Sequence, residues 1–130
     1  MKVTVKRLLF CATLVGYLAV AFVAHAVDTA AAVEAILSGA TVLDVRSSEE
    51  FAAGHVKGAK LIPHTEITTR RTELGGDINH PIVLYCASGA RAEKAKAELE
   101  SLGFTNVING GGLENLSVKL WEARRDRGES

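Results

Sequence analysis

From residue 27 onward the apolar positions fall into short runs, and the period of each run predicts its element. Val33, Ile36 and Leu37 share one face of a short helix over residues 30–37, which Asp28 or Thr29 can cap and Gly39 can stop. Residues 41–45 form a compact β-branched run ending in Asp44 and Val45, the first strand. Ser47 and Glu50 have the spacing of a capping box, so a helix starts at once and ends at Gly54. A second small strand covers residues 60–62 and is closed by Pro63, which cannot donate to a central ladder. Residues 64–74 are polar apart from Ile67 and Leu74 and predict a surface helix; residues 75–80 are turn chemistry.

Behind Pro81, the run Ile82, Val83, Leu84 and Tyr85 has the length and composition of a strand buried on both faces. The strongest helical pattern follows over residues 90–102. Ala92, Ala95, Leu99 and Leu102 form its inward stripe, Glu93, Lys94, Lys96, Glu98 and Glu100 face outward, and Gly103 is the stop. Residues 106–108 read as a last strand and the glycines at 110–112 as a tight turn into a final helix over residues 113–125. In that helix Leu116, Leu120 and Trp121 are expected inward, with Arg124, Arg125 and Arg127 at its negative end. Strands alternating with helices at these lengths predict an α/β fold: a small parallel sheet of four or five strands with helices on both faces.

The first 26 residues change the picture of the rest. Lys2, Lys6 and Arg7 precede an apolar stretch from Leu8 to Val23, and then Ala24-His25-Ala26, the pattern of a secretory signal peptide with cleavage after Ala26. The apolar stretch is shorter than a spanning helix requires, leaving an uncleaved anchor as the alternative. Residues 27–130 then form a single domain. All 15 acidic residues but only 12 of the 15 basic ones lie beyond the cut, so this domain carries a formal charge of −3. That balance argues against a nucleic-acid or anionic-membrane partner. Cys11 is lost with the leader, and Cys86 remains without an internal disulfide partner in an exported, periplasmic or secreted protein.

Cys86 ends the central apolar strand, and a helix begins within a few residues. This is where open α/β sheets place their ligands. If the N–H groups of Ala87, Ser88, Gly89, Ala90 and Arg91 turn inward, they form an anion-favouring nest that the helix N-terminus reinforces, which lowers a thiol's pKa. The alternative is an inert thiol that merely ends a strand. Arg91 puts a permanent guanidinium beside the sulfur, a combination suited to attack on a sulfur or phosphorus centre carrying anionic oxygens. Only four residues separate Cys86 from Arg91, where the loop of the cysteine phosphatases has five, so the cup is small and sulfur transfer is favoured over phosphoryl transfer. The glycines at 110–112 lack the pattern of a phosphate loop or a dinucleotide fingerprint. His55, His64 and His80 have no metal-ligand spacing, and the sequence calls for no metal and no cofactor.

Taken together, Leu43-Asp-Val-Arg46, Glu50-Phe51, Gly54-His-Val-Lys-Gly-Ala59 with Ile62-Pro63, Tyr85-Cys-Ala-Ser-Gly-Ala-Arg91, and Gly110-Gly-Gly112 before Trp121 resemble the rhodanese-like single-domain sulfurtransferases, particularly the short exported kind of the bacterial periplasm. The resemblance spans essentially the whole of residues 27–130. It implies that Cys86 accepts the outer sulfur of thiosulfate as a persulfide and passes it to cyanide, a thiol or a protein thiol, with Arg91 holding the charge of the departing sulfite. It also implies supporting roles for Asp44, Arg46, Glu50 and His55, read here as an ion-paired scaffold. Many active loops of the family carry a second basic residue just after the cysteine; this chain has Ala87, which makes the cup less cationic. That leaves another sulfur species or a protein partner open as donor or acceptor. A non-enzymatic persulfide carrier or redox-interaction module is a separate alternative, with a cysteine phosphatase or arsenate-reducing relative behind it because the loop is short.

Overall fold

In the computed structural model, residues 27–129 are described, and the candidate leader over residues 1–26 lies outside them. Asp28 caps the first helix, α1 (Thr29–Leu37), its carboxylate accepting from the Ala31 N–H at 2.9 Å. Next come β1 (Thr41–Asp44), α2 (Ser48–Ala53) and β2 (Lys60–Leu61). The capping box of α2 is formed in both directions: the Ser47 hydroxyl accepts from the Glu50 N–H, and the Glu50 carboxylate accepts from the Ser47 N–H. The chain continues through α3 (Ile67–Arg70), β3 (Ile82–Cys86), α4 (Ala90–Ser101), β4 (Val107–Gly112) and α5 (Leu113–Asp126).

The four strands are all parallel, in the order β2-β1-β3-β4. The chain leaves β1 for a neighbour on one side and returns to a neighbour on the other, so β1 and β3 flank a topological switch point. Crevices of this kind, at the carboxyl ends of the strands, are where such sheets bind ligands. Asp44 and Cys86 end β1 and β3 there.

Both faces of the sheet are covered. On one, Leu43, Ile82, Leu84 and Cys86 pack with Ala92, Ala95 and Leu99 of α4 and with Ile67, Leu74 and Phe104. On the other, Val42, Val83 and Tyr85 pack with Ala32 and Val33 of α1 and Leu116 and Leu120 of α5. Ala92 and Ala95 of α4 are fully buried, which lets the helix lie close to the strands and brings its N-terminus to the end of β3.

Three expectations are corrected. Residues 64–74 are not one helix: a single α-turn over Ile67–Arg70 lies between 3-10 turns at His64–Glu66 and Arg71–Leu74. The run holds five threonine or histidine residues of low helix propensity, and the burial of Ile67 and Leu74 sets its path. The glycines at 110–112 are not a turn but the second half of β4, with Cys86 paired to Gly112 across a register shift that begins after Leu84. Glycine disfavours a strand by itself; pairing to β3 makes one here. Trp121 does not pack inward and is 61% exposed. At 100° per residue it points about 140° away from Leu116, while Leu120 and Ala123 continue the inward stripe.

Candidate active site

Cys86 is fully buried, whereas Ala87 and Ser88, the next two residues, are exposed; the thiol lies beneath its own loop. Gly89 turns the chain with φ +98°, a conformation that favours glycine, and α4 starts at the next residue. No side chain caps α4, so its first N–H groups are left for the site. The Gly89 N–H donates to Cys86 Sγ at 2.9 Å. Burial pushes the thiol up, but hydrogen bonds from the N–H groups of Ala92, Ser88, Gly89 and Arg91 outweigh it and hold the pKa below its ordinary value. The N–H groups that bear on the sulfur are thus those of Ser88, Gly89, Arg91 and Ala92, with Gly89 at hydrogen-bond distance.

Arg91 turns its guanidinium fork onto Glu50, Nη1 to Oε1 at 2.7 Å and Nη2 to Oε2 at 2.8 Å. The arginine is still near enough to Cys86 for the sulfur to favour its cation, after the larger effect of Glu50. Donation by Arg91 outweighs a raising effect of burial and, with the Ser47 N–H, holds the Glu50 carboxyl at about 2. One carboxylate thus both caps α2 and ties it to the first turn of α4.

Asp44 and Arg46 form a second, buried pair. Arg46 Nε and Nη2 donate to the two carboxylate oxygens at 3.0 and 2.7 Å, and Nη2 also donates to the Gly54 carbonyl at 2.6 Å. This bidentate contact folds the segment around α2 back onto the end of β1. The Arg46 guanidinium also lies over the Tyr85 ring, 5.7 Å from its centroid, and the Tyr85 hydroxyl accepts from the Val56 N–H at 3.0 Å. His55 is exposed, stacked on Phe51 with centroids 3.7 Å apart, and its Nδ1 is 2.8 Å from the Phe51 carbonyl. It braces the turn after α2.

Residues that sequence reasoning missed close the far side of the loop. Asn109, on β4 and 2% exposed, donates from Nδ2 to the Gly89 carbonyl at 3.0 Å. Gly112 approaches so closely that a Cβ there would stand 2.4 Å from the Ala87 carbonyl oxygen. An asparagine within an otherwise apolar strand is the one signal that could have drawn attention to this edge. A cleft of about 500 Å³ opens beside the loop, between Ala87, Ser88, Asn115 and the half-exposed Val27 and Val118. A larger one, about 630 Å³, lies between Val56 and α5 with Trp121 as a wall; the Cys86 loop contributes nothing to it.

Residues 29–117 match the Rhodanese-like domain family. The chain belongs to that family. It is 36% identical over 76 residues to the thiosulfate sulfurtransferase PspE of Escherichia coli, covering 58% of this chain and 73% of that one. To the putative sulfur carrier protein YrkF of Bacillus subtilis it is 40% identical over 68 residues, 52% of this chain but only 36% of that protein. Among solved structures, a rhodanese with anions from Escherichia coli is similar with a TM-score of 0.56 and 36% identity, over 58% of this chain and 89% of that one. The rhodanese-like α/β fold expected from the sequence is the one observed, with four strands.

Proposed function

We propose that the protein is a thiosulfate sulfurtransferase that works by double displacement through Cys86. The observation that carries this reading is the thiol itself, at the carboxyl end of β3 and held below its ordinary pKa within a cup of backbone N–H groups. The Cys86 thiolate attacks the outer sulfur of thiosulfate; a new S–S bond forms as the old one breaks, and sulfite departs with the electron pair. The N–H groups that favour the thiolate also favour the terminal sulfur anion of the persulfide. Cyanide or a thiolate then attacks that outer sulfur, taking it as thiocyanate or as a new persulfide, and the Cys86 thiolate is regenerated. Arg91, close to the sulfur, supplies the fixed positive charge that the leaving sulfite needs. Asp44, Arg46, Glu50 and His55 hold the surrounding frame.

Thiocyanate formation from thiosulfate and cyanide tests the assignment. Cys86→Ser should abolish it, and activity retained by that variant would overturn the proposal. Arg91→Ala should lower kcat/KM by the loss of a charge-assisted contact, about 1.5–3 kcal/mol or ten- to a hundredfold. A second reading, a sulfur carrier that forms the Cys86 persulfide but turns over negligibly, is supported by the complete burial of the thiol and by Ala87 in place of a second cation. A persulfide mass shift on Cys86 without thiocyanate turnover would select it. Export is part of the same proposal: the intact mass of the protein from cells should correspond to a chain starting at Val27.

A further inference from the structure

The three polar positions of the Asn109 side chain are all engaged, and all lie at the Cys86 loop. Nδ2 donates to the Gly89 carbonyl at 3.0 Å and to Glu93 Oε2 at 2.8 Å, and Oδ1 accepts from the Gly111 N–H at 3.0 Å. The orientation of the amide follows from its partners, because the reverse would set its oxygen against a carbonyl and a carboxylate. The Gly89 carbonyl also accepts the Glu93 N–H at 3.0 Å, the first bond of α4. Residue 89 is thus held at its carbonyl by β4 and by the helix, while its N–H points at the sulfur at 2.9 Å. Without a Cβ, Gly89 can leave its φ of +98° for other conformations, so the residue alone does not fix the direction of that N–H.

We propose that Asn109 is a positioning residue for the Cys86 loop, gripping Gly89 from the neighbouring strand so that the Gly89 N–H stays aimed at Sγ. The strand pairing supports this. Asn109 sits opposite Leu84, two residues before the cysteine, and the register shift that follows lets the backbone of Gly111 and Gly112 close on the loop. One buried amide therefore links three backbone segments: the end of β3 through the loop, the start of α4 and the glycine end of β4. Cutting it leaves the Gly89 carbonyl with only its helical bond, and the loop gains freedom to rotate its N–H off the sulfur. For the sulfurtransferase reading, on which the consequence for turnover rests, Asn109 acts through Gly89 and touches neither thiosulfate nor the persulfide.

The rate of Cys86 alkylation by iodoacetamide against pH reads the thiolate without any turnover, in the whole chain and in Asn109→Leu. The midpoint should rise by about one pH unit in the variant, so that about tenfold less thiolate is present well below it. Asn109→Ser, which adds no volume and puts one short hydroxyl in place of the amide, should shift in the same direction and decides the matter if the leucine variant does not fold. Circular dichroism identifies the folded variants. A folded variant with an unchanged midpoint overturns the role of Asn109 and leaves the sulfurtransferase proposal standing, whereas activity that survives Cys86→Ser removes the latter and leaves the alkylation result intact.

Discussion

At the scale of single residues, the charges around the loop do different jobs although they look alike in sequence. Asp44 and Arg46 are both buried and satisfy each other, while Glu50 and Arg91 sit near the surface, with 36% and 31% of their side chains exposed. Solvent screens such a pair, so its value lies more in where it points Arg91 than in stability. It still leaves a pH signature. The Glu50 carboxyl titrates near 2 in the folded protein against 4.5 ordinarily, because Arg91 donates to its charged form. A folded pKa below the unfolded one means the unfolded chain binds more protons between those values, so the contribution is complete above about 4.5 and fades as the pH falls toward 2. Urea unfolding of Glu50→Gln should therefore match the parent in slope above pH 5 and show a shallower loss of stability between pH 4.5 and 2. An identical acid profile would mean that Arg91 does not hold Glu50 in solution.

At the scale of elements, the glycine end of β4 is the least expected part of the fold and the most exposed to test. Gly112 has an ordinary φ of −94°, so its lack of a side chain is a matter of space alone. A methyl group there would stand 2.4 Å from the Ala87 carbonyl oxygen, and backbone on both sides would have to give. Gly112→Ala should cost about 1–3 kcal/mol of stability and slow Cys86 alkylation, read by thermal unfolding and by the same pH series; a variant as stable and reactive as the parent would show that strand and loop do not touch. The elements that were legible in the sequence are those set by local chemistry. The Ser47–Glu50 box, the Gly103 stop, the run before Cys86 and the alanine stripe of α4 each specify their own geometry within a turn or two. What was not legible depends on distant partners. Glu50 meets Arg91 from 41 positions away, Asn109 reaches Gly89 from 20, and the glycines of β4 become a strand only against β3. Trp121 was misplaced for another reason, since a large apolar residue next to an inward leucine does not share its face.

At the scale of the whole molecule, one sheet separates two apolar clusters and carries the site at its carboxyl edge. Both clusters grip β3, through Leu84 and Cys86 on one face and Val83 and Tyr85 on the other. Neither face can loosen without shifting the strand that ends in the thiol, so the domain should melt as one unit. Leu99 on α4 and Leu116 on α5 are fully buried on opposite faces, and truncating either to alanine should cost about 2–5 kcal/mol. The single tryptophan, Trp121, reports the α5 face alone, whereas far-ultraviolet circular dichroism reports all the helices. If the faces are coupled, the Leu99→Ala variant should show coincident transitions by the two probes, at a lower temperature than the parent. Helical signal lost ahead of tryptophan signal would mean that the α4 face melts separately, and that the N-terminus of α4 can leave the sulfur while the rest of the domain stays folded. Coincidence would instead tie the thiol's environment to global stability, so that a substitution in either core lowers the population of competent sites only as far as it unfolds the protein.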